Sequence, residues 1–498
     1  MKFEVCIPII APTLEKAIGE LKEAEKSVDL IELRIDYINN IDEKKLKKIL
    51  EKRAKKAIVT CRPKSLCGNF EGSEEERINL LKKAVEFNAD FIDIEIESGK
   101  AAINELIENK HNAKVIVSYH NLKETPPLNE LQKKYEEIKK LSRDLIKIVA
   151  NANSINDNFI IFELLKNKSD LIAFCMGIRG QISRILAPKY GSRMTFASLK
   201  EGKESASGQI SIEEMKNVYN IGLINKDTQP IGVIGSFAEN SMSKNMHNSC
   251  FKQKNLNYVY MPLKVAENEL KKFMENFRKF NFKGASVTIP HKLEVMDYID
   301  EVDEIAKSVG AVNILSNNSG KIIGSNSDCY GAMEALKEKT SLKNKRVLVI
   351  GAGGGARAII YGLKKENAAV TLTNRTLDKA KSLANEFNIK YGKIENMKEL
   401  IKNSEIIINT TSVGMKPGPD ESIIKEEDLA ENKIVMDIVY KPIETKMIKM
   451  ARKAKCVAIT GDRMLAYQAL EPFKMWTGQD ADFELMENAL LEQIRKGE

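Results

Sequence analysis

A lysine in the middle of an apolar run is the first residue with clear chemical potential. Lys147 lies within residues 145–150, where its neighbours are leucine, isoleucine, valine and alanine. Burial in apolar surroundings lowers the pKa of a lysine amine and leaves it uncharged and nucleophilic. Such an amine forms an imine with a ketone, and the imine acidifies the neighbouring carbon. The alternative is an ordinary lysine whose ammonium group reaches solvent from a strand end.

Polar residues alternate with apolar ones in several other strand-like segments, so that they share one face of each strand. The residues in this pattern are Glu32, Arg34, Asp36, Thr60, Arg62, Asp93, Glu95, Glu97, Ser118 and His120. Nearly all lie near the carboxyl ends of their segments, which is where parallel barrels build active sites. The alternative interpretation is a half-exposed antiparallel sheet with ordinary surface charges.

A glycine-rich segment, Gly351-Ala-Gly-Gly-Gly-Ala-Arg357, follows an apolar strand and precedes a helical pattern. Glycines in this context let the backbone approach a pyrophosphate, which binds at the N-terminus of the helix. The next strand-like segment ends in Asn374-Arg-Thr376, without an acidic residue. An acid at that point would bind the ribose hydroxyls of NAD, whereas Arg375 favours the 2′-phosphate of NADP.

The elements that must position these residues form two α/β halves. The strand-like segments of the first half are 3–10, 30–36, 57–62, 91–96, 114–120, 145–150, 170–177 and 194–199. Their alternation with helical patterns predicts a (β/α)8 TIM barrel at 1–222, followed by a polar linker at 220–229. The second half predicts an α/β substrate domain at 229–338, completed by 462–498, and a Rossmann domain at 339–461.

Composition excludes several classes of protein. A net charge of +8 over 498 residues is small and forms no long basic block, so nucleic acid is not an expected partner. The seven cysteines and four histidines are scattered, which favours free thiols in a reducing compartment and no metal site. No signal segment and no membrane span are evident, so we expect a cytoplasmic protein.

The motifs of the first half, taken in order, resemble those of the type I 3-dehydroquinate dehydratases. They are Glu32-Leu-Arg-Ile-Asp36, Thr60-Cys-Arg62, Asp93-Ile-Glu95, Ser118-Tyr-His120, Lys147, Met176-Gly-x-x-Gly-x-x-Ser-Arg184, Thr195-Phe196 and Ser205-Ala-Ser-Gly-Gln209. This resemblance implies that Lys147 forms a Schiff base with the C3 ketone of 3-dehydroquinate and that His120 moves the protons. It also implies substrate binding by Glu32, Arg34, Arg62, Arg184, Ser205 and Gln209.

The sequence departs from that family at one position. The family usually has a glutamate after the Thr-x-Arg strand, and Leu66 stands there in this chain. The lost carboxylate is the one that normally pairs with the histidine, so we expect a slower dehydratase unless another carboxylate, such as Glu71, compensates. In the extreme case the barrel is a non-catalytic scaffold or dimerisation module. A class I aldolase-like barrel would share the lysine but not the Glu-x-Arg-x-Asp strand.

Residues 230–498 resemble the shikimate dehydrogenases over their whole length. The motifs are Glu239-Asn-Ser-Met-Ser243, Gly284-Ala-Ser-Val-Thr-Ile-Pro-His-Lys292, Gly310-Ala-Val-Asn313, Asn326-Ser-Asp328, Asn409-Thr-Thr-Ser-Val-Gly-Met415, Asp437-Ile-Val-Tyr-x-Pro442 and Gly461-Asp-Arg-Met-Leu-x-x-Gln468. Two small departures are Ser286 in place of asparagine and an Asn-Ser-Asp motif in place of Asn-Thr-Asp. The resemblance implies that Lys292 and Asp328 are the catalytic pair, and either could transfer the proton.

The remaining site residues follow from the same resemblance. Substrate hydroxyls and carboxylate would be bound by Ser241, Ser243, Thr288, Asn313, Tyr440 and Gln468. NADP(H) would be bound by Gly351, Ala352, Gly353, Gly354, Gly355, Ala356, Asn374, Arg375, Thr376, Lys379, Gly461 and Met464. His247 and His291 are expected to be structural. A quinate-preferring dehydrogenase is the nearest alternative, and the oligomeric state, monomer or homodimer, stays open.

Overall fold

The computed structural model describes residues 3–142 and 144–497 and divides into two compact units, Met1–Thr228 and Gln229–Glu498. Both units are of the α/β class, as the sequence predicts. Within the described residues, no helix combines the length and the apolar character that crossing a bilayer requires.

The first unit is a TIM-like barrel of eight parallel strands. Strands β1 to β8 are Glu4–Ile9, Leu30–Arg34, Lys56–Thr60, Phe91–Glu95, Lys114–Asn121, Leu145–Asn151, Leu171–Met176 and Met194–Phe196. Parallel ladders run from β8 through β1 and in chain order to β7. A hydrogen bond of 2.9 Å from Arg193 N to Leu171 O joins the start of β8 to the start of β7. All eight predicted strands are therefore confirmed, with no end shifted by more than three residues.

Helices surround the barrel and alternate with its strands. Helices α1 to α9 are Leu14–Ala24, Glu43–Lys52, Glu74–Glu86, Gly99–Glu108, Leu128–Leu141, Asp157–Leu165, Gln181–Ile185, Ala187–Tyr190 and Ile212–Asn217. Helix α3 begins with a capping box, in which Ser73 and Glu76 bond each other's backbone N–H groups. This cap fixes the first turn of α3, which contains the buried Arg77.

The interior of the barrel consists of an apolar layer with a polar layer above it. The apolar layer contains Leu30, Ile58, Phe91, Ile116 and Leu145. Because side chains alternate along a strand, residues two positions further on point inward as well. Those inward residues, one turn of the pleat further towards the carboxyl ends of the strands, are Glu32, Thr60, Asp93, Ser118 and Lys147. The alternation read from the sequence thus places one polar group on each of five neighbouring strands.

The second unit contains two six-stranded sheets. Strands β9 to β14 are Gln229–Gly235, Tyr258–Lys264, Gly284–Val287, Glu301–Val302, Ile314–Asn318 and Lys321–Ser325. They form a mixed sheet in the order β10-β9-β11-β13-β14-β12. Strands β15 to β20 are Arg346–Ile350, Ala369–Thr373, Lys390–Gly392, Ile406–Asn409, Ile434–Asp437 and Val457–Ile459. They form a parallel sheet in the order β17-β16-β15-β18-β19-β20, which is the doubly wound arrangement.

Helices of the second unit cover both sheets. Helices α10 to α20 are Ser243–Gln253, Leu270–Lys279, Glu304–Val309, Asp328–Lys337, Gly354–Lys365, Leu377–Phe387, Met397–Lys402, Lys446–Lys453, Gly461–Gln468, Leu470–Thr477 and Phe483–Gly497. Both faces of the parallel sheet are buried, since Val347 and Val349 belong to one apolar cluster and Leu348 and Ile350 to another. This burial explains why β15 is almost continuously apolar in sequence.

Candidate active sites

The Lys147 amine is buried inside the barrel, and the residue is only 4% exposed. Its Nζ lies 2.9 Å from Asp93 Oδ2 and 3.6 Å from Glu32 Oε1. The ring of Phe196 lies beneath it, with the centroid 4.4 Å from Nζ. The predicted inward orientation of Lys147 is therefore confirmed. Its surroundings are nevertheless not apolar, because strands β4 and β2, which are not adjacent to β6, place two carboxylates within reach of the amine across the barrel interior.

Asp93 is the central acceptor of this cluster. It accepts hydrogen bonds from Lys147 Nζ and, at 2.7 Å, from Ser118 Oγ, while Thr60 Oγ1 donates to Glu32 at 2.8 Å. Burial alone would raise the pKa of Asp93, but the charges of Lys147 and Arg62 outweigh that effect and hold the pKa below its usual value. Asp93 therefore stays ionised beside the amine.

His120 contacts an arginine rather than a carboxylate. Arg62 Nη1 lies 3.0 Å from His120 Nε2, and because arginine can only donate, Nε2 accepts and the proton lies on Nδ1. Burial, followed by the charges of Arg62 and Lys147, lowers the pKa of His120 well below its usual value. The imidazole of His120 is consequently neutral at neutral pH and can accept a proton.

The other ring nitrogen of His120, Nδ1, is buried as well. This buried nitrogen has no hydrogen-bond partner among the described residues. Glu71 forms an ion pair with Lys64 instead, and its side chain is exposed, so it does not compensate for the missing carboxylate. Leu66 ends a short turn, Lys64–Leu66, in a loop whose Phe70 N–H bonds back to Arg62 O.

Two further buried charges, Glu95 and Arg77, hold Arg62 in place. Arg62 Nε donates to Glu95 Oε1 at 3.0 Å, and Arg77 Nη1 donates to Glu95 Oε2 at 2.8 Å. Arg77 also bonds Glu74 and the carbonyl oxygen of Cys61. Each of these buried charges therefore has an opposite partner, which fixes the guanidinium that faces His120.

Arg184 points unused donors into the barrel. It is 1% exposed and stacks over Phe174, and among the described residues its Nε and Nη2 have no acceptor. Burial lowers the pKa of Arg184 to about 10. Its Nη1 lies 3.4 Å from the carbonyl oxygen of Phe196, the residue whose ring lies beneath Lys147. A buried guanidinium with free donors is suited to an anionic ligand group.

The other predicted barrel residues are held in local pairs. Arg34 is forked by Asp36, with N···O distances of 2.9 and 2.7 Å. Gln209 donates to Ser205 Oγ at 3.0 Å and accepts from Ser205 N–H at 2.8 Å. This second pair lies in a loop that is tied to the end of β7 by the bond from Gly177 N to Ser207 O.

In the second unit the predicted polar residues surround one cavity of about 510 Å³. All eight non-nucleotide site residues predicted for this half line it, namely Ser241, Ser243, Thr288, Lys292, Asn313, Asp328, Tyr440 and Gln468. Apolar side chains of Phe237, Ile289 and Met415 also border it, and each is largely exposed. The cavity thus combines an apolar rim with a set of converging polar groups, as small-molecule sites do.

Lys292 and Asp328 form an ion pair in this cavity. Lys292 Nζ lies 2.7 Å from Asp328 Oδ2, and Asn313 Nδ2 donates to the other carboxylate oxygen at 2.8 Å. Asn326 Oδ1 accepts from the Asp328 N–H at 3.0 Å. The carboxylate is therefore held by two side chains and the backbone of the same residue by a third, while the lysine side chain remains 27% exposed.

The two histidines predicted to be structural are buried. His247 stacks on Tyr260 at 4.6 Å between ring centroids, and burial lowers its pKa to about 3. His291 pairs with the carbonyl oxygen of Val265 at 2.9 Å. His247 nevertheless contributes to the wall of the cavity.

The glycine loop between β15 and α14 has room for a phosphate group. Gly351 has a φ of +114°, and a Cβ atom there would lie 2.5 Å from Thr410 Oγ1. Added Cβ atoms at Gly353 and Gly354 would meet nothing within 4 Å. No side chain caps the N-terminus of α14, so its first N–H groups remain open to an anion. These residues fit the pyrophosphate of a dinucleotide.

The other predicted nucleotide residues differ in their surroundings. Arg375 and Lys379 are exposed, and Asn374 Nδ2 bonds Thr376 O at 3.0 Å across the loop after β16. Arg375 makes no ion pair within the described residues. Gly461 lies against the carbonyls of Ile438 and Val439, where a Cβ atom would be 2.5 Å from the nearest oxygen. Met464 is buried in the core beside Ile438.

The sequence does not reveal which residues hold Lys147 and Arg62 in place. Asp93, Glu95 and Ser118 are visible in the strand alternation, but their direct role as partners of Lys147 and Arg62 follows only from the register between strands. Arg77 lies in the charge-rich helix α3, where its sequence pattern is that of an exposed face.

The fold and the two sites define an α/β enzyme that pairs a Schiff-base type of barrel with a dinucleotide-binding unit. Family models agree with this division. The type I 3-dehydroquinase model matches residues 5–226, and the shikimate dehydrogenase substrate-binding domain model matches residues 233–315. The shikimate/quinate 5-dehydrogenase model matches residues 333–451, and the shikimate 5′-dehydrogenase C-terminal domain model matches residues 463–491.

Individual relatives extend this match to the whole chain. The chloroplastic bifunctional 3-dehydroquinate dehydratase/shikimate dehydrogenase of Arabidopsis thaliana is 35% identical over 97% of this chain and 83% of its own length. The NADP(+) shikimate dehydrogenase of Methanocaldococcus jannaschii is 42% identical over 55% of this chain and 100% of its own. A crystal structure of a shikimate dehydrogenase in complex with NADP+ superimposes with a TM-score of 0.53 at 40% identity, covering 54% of this chain and 97% of that one. The chain belongs to the family of bifunctional 3-dehydroquinate dehydratases/shikimate dehydrogenases.

Proposed function

We propose that this chain catalyses two consecutive reactions, the dehydration of 3-dehydroquinate to 3-dehydroshikimate and the NADPH-dependent reduction of 3-dehydroshikimate to shikimate. One observation carries the proposal: each unit concentrates its predicted polar residues around one amine, Lys147 in the barrel and Lys292 in the second unit. The product of the first reaction is the substrate of the second, so the order of the units in the chain matches the order of the chemistry.

In the dehydratase site, Lys147 attacks the C3 ketone of the substrate and forms an iminium with loss of water. The amine must first lose a proton, and Asp93 at 2.9 Å and Glu32 at 3.6 Å are the bases within reach. The iminium draws electrons from C2, whose proton passes to the neutral His120. The same histidine returns a proton to the C1 hydroxyl, which leaves as water, and hydrolysis of the imine releases 3-dehydroshikimate and restores Lys147.

The remaining barrel residues bind and orient the substrate. Arg184 supplies two free donors for the substrate carboxylate, and Ser205 and Gln209 lie in the loop that is tied to the end of β7. Arg62 holds Nε2 of His120 before the substrate enters. Glu32 and Arg34 lie on β2, and their role in substrate binding is the one that the resemblance to the type I dehydratases implies.

In the reductase site, bound NADPH supplies a hydride to the carbonyl carbon of 3-dehydroshikimate. The carbonyl oxygen gains negative charge, which the Lys292 ammonium stabilises as a hydrogen-bond donor. Asp328 orients that lysine and is itself fixed by Asn313 and Asn326. Either Lys292 or Asp328 can deliver the proton that completes the alcohol. Ser241, Ser243, Thr288, Tyr440 and Gln468 bind the ring hydroxyls and carboxylate from the cavity wall.

The residues proposed to hold the cofactor are those of the glycine loop and of the turn after β16. The loop of Gly351, Ala352, Gly353, Gly354, Gly355 and Ala356 would cradle the pyrophosphate, and Asn374, Arg375, Thr376 and Lys379 would bind the adenosine 2′-phosphate. The exposed, unpaired guanidinium of Arg375 supports a preference for NADP over NAD. Gly461 and Met464 would border the nicotinamide.

The domain limits and the cellular location also stay proposals. We place the barrel at 1–222, the substrate domain at 229–338 with 462–498, and the Rossmann domain at 339–461. A cytoplasmic location is proposed from the sequence, although the plant relative is described as chloroplastic. Fractionation of the cells that produce the protein would test it.

Reductive trapping tests the dehydratase half directly. Borohydride reduces an iminium to a stable secondary amine, so incubation with 3-dehydroquinate should increase the mass of the peptide that contains Lys147. Lys147→Met should abolish the adduct, whereas Lys123→Met, at an exposed lysine, should leave it unchanged. Absence of an adduct in the wild-type chain would favour the scaffold interpretation of the barrel.

A further inference from the structure

Arg357 lies in the first turn of α14, directly after the glycine loop, yet it does not face the site proposed for the phosphates. Its Nε donates to the carbonyl oxygen of Val309 at 2.5 Å, and Nη1 donates to Glu386 at 2.9 Å. Its guanidinium also stacks over Phe387 at 5.6 Å. The arginine, on α14, therefore contacts both α15 and the last residue of α12.

The four residues after Val309, which we call the strap (310–313), connect α12 to the catalytic pair. Val312 N–H donates to Lys292 O at 2.8 Å, and Asn313 Nδ2 donates to Asp328 Oδ1 at 2.8 Å. The strap also accepts from Asn326 Nδ2 through Ala311 O at 2.9 Å, and Asn326 in turn holds the Asp328 N–H. Both members of the pair are thus bonded to this one segment.

Two further features bring the strap and α14 together. Val309 and Ala311 form a small apolar cluster with Ala358, the residue after Arg357. Gly310 has a φ of +71°, and a Cβ atom there would lie 3.0 Å from Arg357 Nη2. The strap therefore passes close to the Arg357 guanidinium, which also caps the carbonyl of Val309 at the end of α12.

We infer that Arg357 is a positioning residue for reduction, which couples the helix of the nucleotide loop to the strap and thereby fixes Lys292 and Asp328. This inference rests on the proposed reductase function. Without Arg357 the Val309 carbonyl loses its donor, and the strap is anchored to α14 only by apolar contact. The strap, which bonds Asp328 through Asn313, then becomes mobile. Lys292 and Asp328 are therefore aligned with the substrate carbonyl for less of the time.

The test compares Arg357→Met with Glu386→Gln in the full-length chain. R357M removes the bond to Val309 O, whereas E386Q removes only the ion pair on the opposite side of the same guanidinium. We expect kcat for reduction to fall roughly tenfold to a hundredfold in R357M and to stay near wild type in E386Q. The dissociation constant for NADPH and the dehydratase rate should be unchanged in both.

A second readout does not depend on activity. Hydrogen exchange at the amides of Val312 and Asn313 should be faster in R357M than in the wild type and unchanged in E386Q. R357K is the conservative variant and gives a result even if R357M fails to fold. Lysine can bond Val309 O but cannot fork Glu386, so R357K should retain most of kcat and wild-type exchange of the strap, and a large loss of either would overturn the inference.

Three further outcomes would overturn the inference: wild-type kcat in R357M, unchanged exchange of the strap in R357M, or equal losses in R357M and E386Q. A wild-type chain that fails to reduce 3-dehydroshikimate would refute the proposed function instead, so the two failures are distinguishable.

Discussion

At the scale of single residues, the two sites use charge in different ways. In the barrel, Lys147, Asp93, Arg62 and Glu95 are buried and each has an opposite partner. In the second unit, Lys292 and Asp328 form one pair at the wall of an open cavity. Removing one charge from the barrel leaves its partner buried and uncompensated, whereas a change in the cavity mainly removes a contact to the ligand.

Leu66→Glu is expected to speed dehydration by roughly tenfold, because a carboxylate would pair with the proton on His120 Nδ1 and orient the ring. The same charge would raise the depressed pKa of His120. Since the neutral histidine is the base, the acidic limb of the activity profile should lie at a higher pH in Leu66→Glu than in the wild type. The measurement is the pH profile of kcat/KM for 3-dehydroquinate.

Leu66→Gln is the matched control, as it has the shape of glutamate without its charge. Its pH profile should stay that of the wild type. An unchanged dehydration rate in Leu66→Glu would count against the importance of this position.

His247 makes the stability of the second unit depend on pH. Its pKa is about 3 in the folded chain and about 6.5 when unfolded, so below pH 6.5 the unfolded state binds the additional proton. Folding stability therefore falls as the pH is lowered, by up to about 1.4 kcal/mol per pH unit for this one group. His247→Phe retains a flat ring and should make that decline shallower.

The single tryptophan of the chain, Trp476, reports this effect, because its ring lies 5.1 Å from that of His247. Urea unfolding followed by tryptophan fluorescence between neutral and acidic pH measures the second unit alone. Equal slopes for wild type and His247→Phe would show that another group controls the acid transition.

At the scale of elements, strand periodicity accounts for what could be predicted. Alternation along β2, β4, β5 and β6 places Glu32, Asp93, Ser118 and Lys147 inward, and the parallel order makes them neighbours. Periodicity does not give the distances between side chains on different strands. The two carboxylates beside the Lys147 amine were therefore not predicted, and the expected apolar surroundings are not found. Arg77 was equally hidden, because a helix rich in charge has the pattern of a solvated face.

Helix α3 is predicted to hold the barrel site together through Arg77. Arg77→Met leaves Glu95 Oε2 without its donor while Arg62 still pairs with Oε1, so the stability of the first unit should fall by roughly 1–3 kcal/mol. Residual dehydratase activity after brief heating measures the loss, and residual reductase activity of the same sample serves as the internal control. Parallel loss of both activities would contradict a local effect of Arg77.

At the scale of the whole molecule, the family match spans both units, and each unit contains one complete set of predicted residues. Dehydration yields the ketone that the second unit would reduce, so the fusion is chemically coherent. Transfer of that ketone between the sites without release remains a separate hypothesis. Equal overall rates for the intact chain and for the two units supplied separately would argue against such transfer.

Product analysis after incubation of the purified chain with 3-dehydroquinate and NADPH is the most direct test of the two-site function. We predict shikimate as the product, with one NADPH oxidised per shikimate. Lys147→Met should form none from 3-dehydroquinate but should still reduce added 3-dehydroshikimate. Undiminished shikimate formation by Lys147→Met, or quinate as the product, would contradict the assignment of consecutive dehydration and reduction to this chain.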